Sequence, residues 1–121
     1  MAKILIVDDS SLSRRISRRI LTEAAHEVFE AQDGISAIEQ YFLVNPDLVL
    51  LDITMKGMNG FEVLEKLREL DPHARVVIAT ADIQSSTQTL TKAAGSKGFV
   101  TKPLQADEVV KVVNAALQGE S

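Results

Sequence analysis

Apolar positions in this chain follow two patterns. Ile4-Leu5-Ile6-Val7, Leu48-Val49-Leu50-Leu51 and Val76-Val77-Ile78-Ala79 are unbroken aliphatic runs. Short runs of this kind, without polar alternation, suit strands covered on both faces, as in a parallel sheet under helices. Elsewhere the apolar residues recur at helical spacing. Leu12, Ile16 and Ile20 are spaced by four, with arginines between them. Ile35 and Ile38 lead into Tyr41-Phe42-Leu43-Val44, read as the end of a helix. Phe61, Leu64 and Leu67 line a helix that stops before Asp71-Pro72, and Val109, Val113 and Ala116 line a last one before Gly119. Residues 26–31 and 97–101 are weaker strand candidates. Residues 83–91, rich in Ser, Thr and Gln, form the weakest helix on propensity and the segment expected to move most. The order is βαβαβαβαβα, which predicts an open α/β sheet with helices on both faces and short, right-handed connections.

Composition narrows the function. With 121 residues and 45% apolar content, the chain is expected to form one domain, residues 1–121, with a real core. It has no cysteine, which excludes disulfides, thiolate metal sites and cysteine nucleophiles. A net charge of -4, no tryptophan and only 4% aromatics argue against a nucleic-acid binder. No apolar run exceeds four residues, too short for a membrane helix or signal peptide, so a cytoplasmic location is expected. A monomer is the default, because no apolar stripe is left over once the core is assigned.

In open α/β sheets, ligands bind at the carboxyl ends of the strands. The first strand candidate ends in Asp8-Asp9, the third in Asp52, the fourth in Thr80 and the fifth near Lys102-Pro103. Each residue alone has an ordinary reading as a turn, cap or surface residue. Their joint occurrence at four strand ends points to a site. Three neighbouring carboxylates raise one another's pKa, and a hard divalent cation relieves the repulsion. Oxygen ligands without His or Cys favour Mg²⁺ over zinc. A lysine and a hydroxyl beside such an ion form a receptor for a phosphoryl group, and an aspartate can accept one.

The same residues resemble receiver domains of two-component response regulators, in particular the stand-alone chemotaxis type. The likeness spans residues 2–118. Lys3-Ile4-Leu5-Ile6-Val7-Asp8-Asp9-Ser10 is similar to the family's acidic pair, and Ala31-Gln32-Asp33-Gly34-Ile35-Ser36-Ala37 to its turn into the second helix. Pro46-Asp47-Leu48-Val49-Leu50-Leu51-Asp52 resembles the strand leading to the phosphorylated aspartate, with Met55 and Gly60 at the expected following positions. Ala79-Thr80-Ala81 resembles the switch threonine and its small neighbour, and Gly95-Ser96-Lys97-Gly98-Phe99-Val100-Thr101-Lys102-Pro103 the closing lysine-proline segment.

The resemblance implies a (βα)5 doubly wound, flavodoxin-like fold with five parallel strands in the order 2-1-3-4-5. It implies that Asp52 is the phosphoacceptor and that Asp9 and Asp52 ligate Mg²⁺ directly. Asp8 would act mainly through water, and the backbone carbonyl of Thr54 would complete the protein ligands. Lys102, Thr80 and the Ala81 N–H would hold phosphoryl oxygens, the bond to Pro103 would be cis, and Phe99 would be the switch aromatic. Asp82 and Thr54 would face the attacking water. Lys56 stands where the family commonly has proline, and would meet a partner or the outer shell of the phosphate. The implied partners are a histidine kinase or histidine phosphotransfer protein and a separate downstream protein, since no output domain is expected beyond Ser121. A phosphorelay intermediate passing the group to a histidine is the alternative.

Other readings are weaker. An aspartate-nucleophile phosphatase of the haloacid-dehalogenase kind needs a second Asp two residues after Asp52, where Thr54 stands. A flavodoxin-like electron carrier needs a phosphate-cradling loop, which Asp8-Asp9 would repel. Neither G-x-G nor GK[ST] occurs. Arg14, Arg15, Arg18 and Arg19 form either a solvated face, with Arg19 and Glu23 at i,i+4 spacing, or a docking surface for an acidic phosphodonor protein. His26 and His73 are read as structural, and Met55 and Met58 as loop packing.

Overall fold

A computed structural model describes residues 2–53, 60–81, 89 and 92–118. Five strands, β1 (Lys3–Val7), β2 (Glu27–Ala31), β3 (Leu48–Asp52), β4 (Val76–Thr80) and β5 (Gly98–Thr101), form one parallel sheet in the order β2-β1-β3-β4-β5. Among the described residues four helices accompany it: α1 (Ser11–Glu23), α2 (Gly34–Val44), α3 (Gly60–Leu70) and α4 (Ala106–Leu117). The helix expected over residues 83–91 falls almost wholly outside the described residues.

The aliphatic runs become the central strands because both faces of each are covered. Leu5, Val7, Val49, Leu51, Val76 and Ile78 face a core with Ala37 and Tyr41 of α2 and Val63, Leu64 and Leu67 of α3. Their neighbours Ile4, Ile6, Leu48, Leu50, Val77 and Ala79 face a second core with Leu21 of α1 and Val109, Val113 and Ala116 of α4. This period of two sorts the residues of the three aliphatic runs to one helix layer or the other. Side chains that lose all water contact this way each contribute about 1.5–3 kcal/mol.

Local signals set the helix ends. The Ser10 hydroxyl caps α1 by accepting from the Ser13 N–H at 3.2 Å, and the Asp33 carboxylate caps α2 by accepting from Ser36 at 2.7 Å. α2 closes on Asn45 in the left-handed region (φ 56°). The helical phase of α1 differs from the sequence expectation. Leu12 and Ile16 are 62% and 42% exposed, Ile20 is partly buried, and the helix seats Ser17 and Leu21 on the sheet instead. Residues four apart advance about 40° around a helix at each step, so only the end of that stripe meets the core.

Gly60 opens α3 against the end of β3, where an added Cβ would lie 2.2 Å from the Ile53 Cα and 2.7 Å from the Asp52 carbonyl oxygen. These are backbone atoms and cannot swing aside. Gly60→Ala is therefore expected to lower the unfolding free energy by about 1–3 kcal/mol, as overpacking does. Urea unfolding measures the loss, and the Asp52 amide resonance should shift with it.

Candidate functional site

The strand order reverses direction at β1 and β3. The chain leaves β1 for β2 on one side, then returns to place β3 on the other. The carboxyl ends of strands at such a switch point form a crevice. The register decides what lies there. Val7 pairs with Leu51, so Asp8 comes level with Asp52. Asp52 pairs with Ala79, and Thr80 with Thr101, so Lys102 lies just beyond the edge. The alternation that sends Leu50 and Val100 toward the α1 and α4 layer also sends Asp52 and, if continued, Lys102 to that side.

The side chains meet accordingly. One ligand atom from each of Asp8, Asp9 and Asp52 lies within 4.8 Å of the others. Asp8 and Asp52 are buried, and Asp9 is exposed. Lys102 Nζ lies between the two buried acids, 2.8 Å from Asp8 Oδ2 and 3.3 Å from Asp52 Oδ2, and 3.4 Å from the Ser13 hydroxyl. The Ser10 N–H donates to Asp8 Oδ1 at 2.9 Å. Burial pushes the Asp8 carboxyl above the usual aspartate range, opposed by the bonds from Lys102 and Ser10 and reinforced by the charge of Asp52. Burial also works against the Lys102 charge, but its bond to Asp8 and the charges of Asp52 and Asp8 outweigh it, and its pKa rises. The Asp8 direction is set by desolvation and that of Lys102 by two anions around one cation. The shared ion pair therefore offsets part of the cost of burying Asp8 and not all of it.

The other expected residues are placed as follows. Thr80 is fully buried at the end of β4, and its carbonyl accepts from the Lys102 N–H at 2.8 Å. Ala81 is exposed beside it. Lys102, Pro103, Ala81, Ser13, Ile16 and Leu104 line an open recess of about 340 Å³, and the Lys102-Pro103 bond is cis. Phe99 is partly buried on the α2 and α3 face, the face that Ile78 shares. Thr54, Met55, Lys56, Met58 and Asp82 lie outside the described residues. His26 and His73 precede β2 and β4, at the opposite edge of the sheet, where His26 Nδ1 accepts from the Ala2 N–H and the His73 N–H donates to Asp71.

Three contacts were not anticipated. Ser13 reaches Lys102, and Arg14 and Arg18 both pair with Glu30 of β2. The signal for the last was present: β2 alternates, so Glu30 falls on the same side as Val28, the α1 side. The expected Arg19–Glu23 pair forms at 3.4 Å, largely in solvent.

Residues 4–114 match the family described as Response regulator receiver domain. The chain belongs to this family. Its receiver fold is 37% identical over 113 residues to a chemotaxis protein CheY of Thermotoga maritima, covering 93% of this chain and 94% of that one. It is 40% identical over 116 residues to CheY of Bacillus subtilis, covering 95% and 97%. The crystallized chemotaxis protein CheY4 of Vibrio cholerae superposes with a TM-score of 0.90 at 28% identity, covering 96% and 98%. The flavodoxin-like order 2-1-3-4-5 is thus the receiver order. As a receiver domain of the CheY type, the protein is a phosphoacceptor response regulator of two-component signalling. Among the described residues no helix is long and apolar enough to cross a membrane.

The receiver's alkaline stability should expose the Lys102 ion pair. A pKa raised on folding adds stability that is complete below the unfolded value and is lost as pH rises through the folded one. Lys102 does so from its ordinary 10.5 upward. Tyr41 does the same from 10.0 upward, because burial and its 2.7 Å bond to Asp71 both disfavour the phenolate. The unfolding free energy should therefore fall above pH ~10. Lys102→Met should flatten that fall by up to about 1.4 kcal/mol per pH unit, the value of one proton. Adding Tyr41→Phe should remove most of the remainder, as read by urea unfolding at stepped pH.

Proposed function

We propose that Asp52 accepts a phosphoryl group from a phosphohistidine donor, with Mg²⁺ held by the acidic pocket, and that the change of charge alters a protein-binding surface. The observation that carries this reading is Lys102 Nζ set between two buried carboxylates at the topological switch point, with a third carboxylate alongside. The donor set fits Mg²⁺. It is all oxygen, two of its members are buried, and its net charge of -2 (three carboxylates and one ammonium) remains to be balanced. Asp8, Asp9 and Asp52 would hold the ion, together with the backbone carbonyl of Thr54. Bound there, Mg²⁺ would supply charge neutralisation for the transferring phosphoryl oxygens.

The chain's own groups do the rest. A carboxylate oxygen of Asp52 attacks phosphorus, the bond from phosphorus to the donor's imidazole nitrogen breaks, and the imidazole keeps the electron pair. The product is an aspartyl phosphate. Lys102 then faces a group of greater negative charge on Asp52. The Thr80 hydroxyl and the Ala81 N–H, from the same edge, receive phosphoryl oxygens. Phe99 is the aromatic whose packing follows Thr80, and Asp82 and Lys56, which follow Thr80 and Asp52 in the sequence, act on the outer side of the phosphate. Pro103 fixes the turn behind Lys102.

The domain, residues 1–121, is a signalling module whose output is contact with a separate protein. The names of its relatives point to chemotaxis. The donor is a histidine kinase or a histidine phosphotransfer protein, and the receiver works as a cytoplasmic monomer.

Incubation with acetyl phosphate and Mg²⁺ should add one phosphoryl group, labile in base, as read by intact-mass spectrometry. Asp52→Asn should gain none. Lys102→Ala should still bind Mg²⁺ but lose the coupling between phosphate and partner binding. An equal gain in Asp52→Asn would refute the assignment.

A further inference from the structure

We propose that Arg14 is a positioning residue for the acidic pocket: held by Glu30, it fixes the Asp8–Asp9 peptide plane and so aims the exposed Asp9 carboxylate at Asp52. This rests on the reading of the pocket as a Mg²⁺-dependent phosphoacceptor site.

Asp8 and Asp52 are immobilised by burial and by Lys102. Asp9 is exposed, yet its carboxylate lies within 4.8 Å of both. Where that carboxylate can reach is limited by the backbone that carries it. The Asp8 carbonyl and the Asp9 N–H belong to one rigid peptide plane. Arg14 Nη1 donates to that carbonyl at 2.7 Å, a charge-assisted bond.

The guanidinium is itself clamped. Arg14 Nε donates to Glu30 Oε1 at 3.0 Å, while Glu30 Oε2 accepts from Arg18 Nε. The Arg14 side chain is only 16% exposed, against 81% for Arg19 on the same helix. Glu30 is shared with Arg18, so its one carboxylate offsets only part of the charge of the two guanidiniums, and the clamp works by fixing the geometry of Arg14. A lysine keeps the charge but lacks the planar fork that serves both partners at once.

Two measurements on the full chain test this. Mg²⁺ titration, followed by amide NMR, should show a Kd raised about tenfold in Arg14→Ala, the size of one hydrogen bond to a charged group. Arg14→Lys should remain closer to Arg14→Ala than to wild type. In the metal-free protein, the ¹⁵N order parameter of the Asp9 amide should match β1 in wild type and drop in Arg14→Ala.

An unchanged or lower Kd in Arg14→Ala, full rescue by lysine, or an unchanged Asp9 order parameter would each overturn the proposal. A wild-type chain that binds Mg²⁺ but takes no phosphate would overturn the phosphoacceptor reading instead, and the order parameter would still decide the role of Arg14.

Discussion

Two buried carboxylates share one lysine, and the rest of the receiver is arranged around that shortage of positive charge. Asp8 and Asp52 are 3% and 4% exposed, with Asp9 alongside. Burying like charges together costs several kcal/mol per uncompensated ion. One ammonium offsets one of them, and the raised Asp8 pKa marks the remainder. A pocket with such an imbalance can exist only on a support that does not yield. β1 and β3 are that support: Ile4 through Val7 and Leu48 through Leu51 are each at most 2% exposed, and they lock into two separate cores. On the proposed function, the same imbalance favours a cation and leaves Lys102 able to follow the charge on Asp52.

The sheet edge has two sides, and the site uses both. Asp52 belongs to the face covered by α1 and α4, whereas Ile78 and Phe99 belong to the face covered by α2 and α3. Thr80 follows Ile78 by two positions and shares its side. A backbone hydrogen bond at 2.8 Å, from the Lys102 N–H to the Thr80 carbonyl, ties the two sides together beyond the last strand pair. Lys102 and Thr80 are thus joined through the main chain. That connection is short and needs no chain of intermediate side chains.

Much of this was legible in the sequence, for reasons that differ between elements. The central strands showed because unbroken aliphatic runs have few alternatives, and the acids showed because each sits directly after a run. The strand order followed from the family resemblance. The register, which makes Asp8 level with Asp52, is a product of pairing and has no local signal. The seating of α1 was misread, since spacing by four looks like a stripe until its 40° drift per step is counted, about one full residue every two and a half steps. Glu30 was missed because its partners are 16 and 12 residues away and meet it only when α1 crosses β2. Charges that pair across elements are invisible to a reading made along one element at a time. The four arginines, read as a solvated face with an Arg19–Glu23 pair or as a docking surface, divide into two held by Glu30, one paired in solvent with Glu23, and Arg15, which is exposed.

The unequal grip of Lys102 bears on which acid reacts. The ammonium lies 0.5 Å nearer Asp8 (2.8 Å) than Asp52 (3.3 Å). A carboxylate that is held by strong donors is a poorer nucleophile, because attack must first weaken those bonds. On the proposed function, the acid that Lys102 grips harder is the one that stays put and shapes the cation site. The acid it grips less firmly is the one that attacks. Once Asp52 carries phosphate, the balance of charge reverses, and the stronger anion is then on the Asp52 side. The lysine's preference should shift with it, drawing on the backbone bond to Thr80. On the proposed function, the ion pair is therefore a balance that leans toward Asp8 and whose tilt is set by the charge on Asp52.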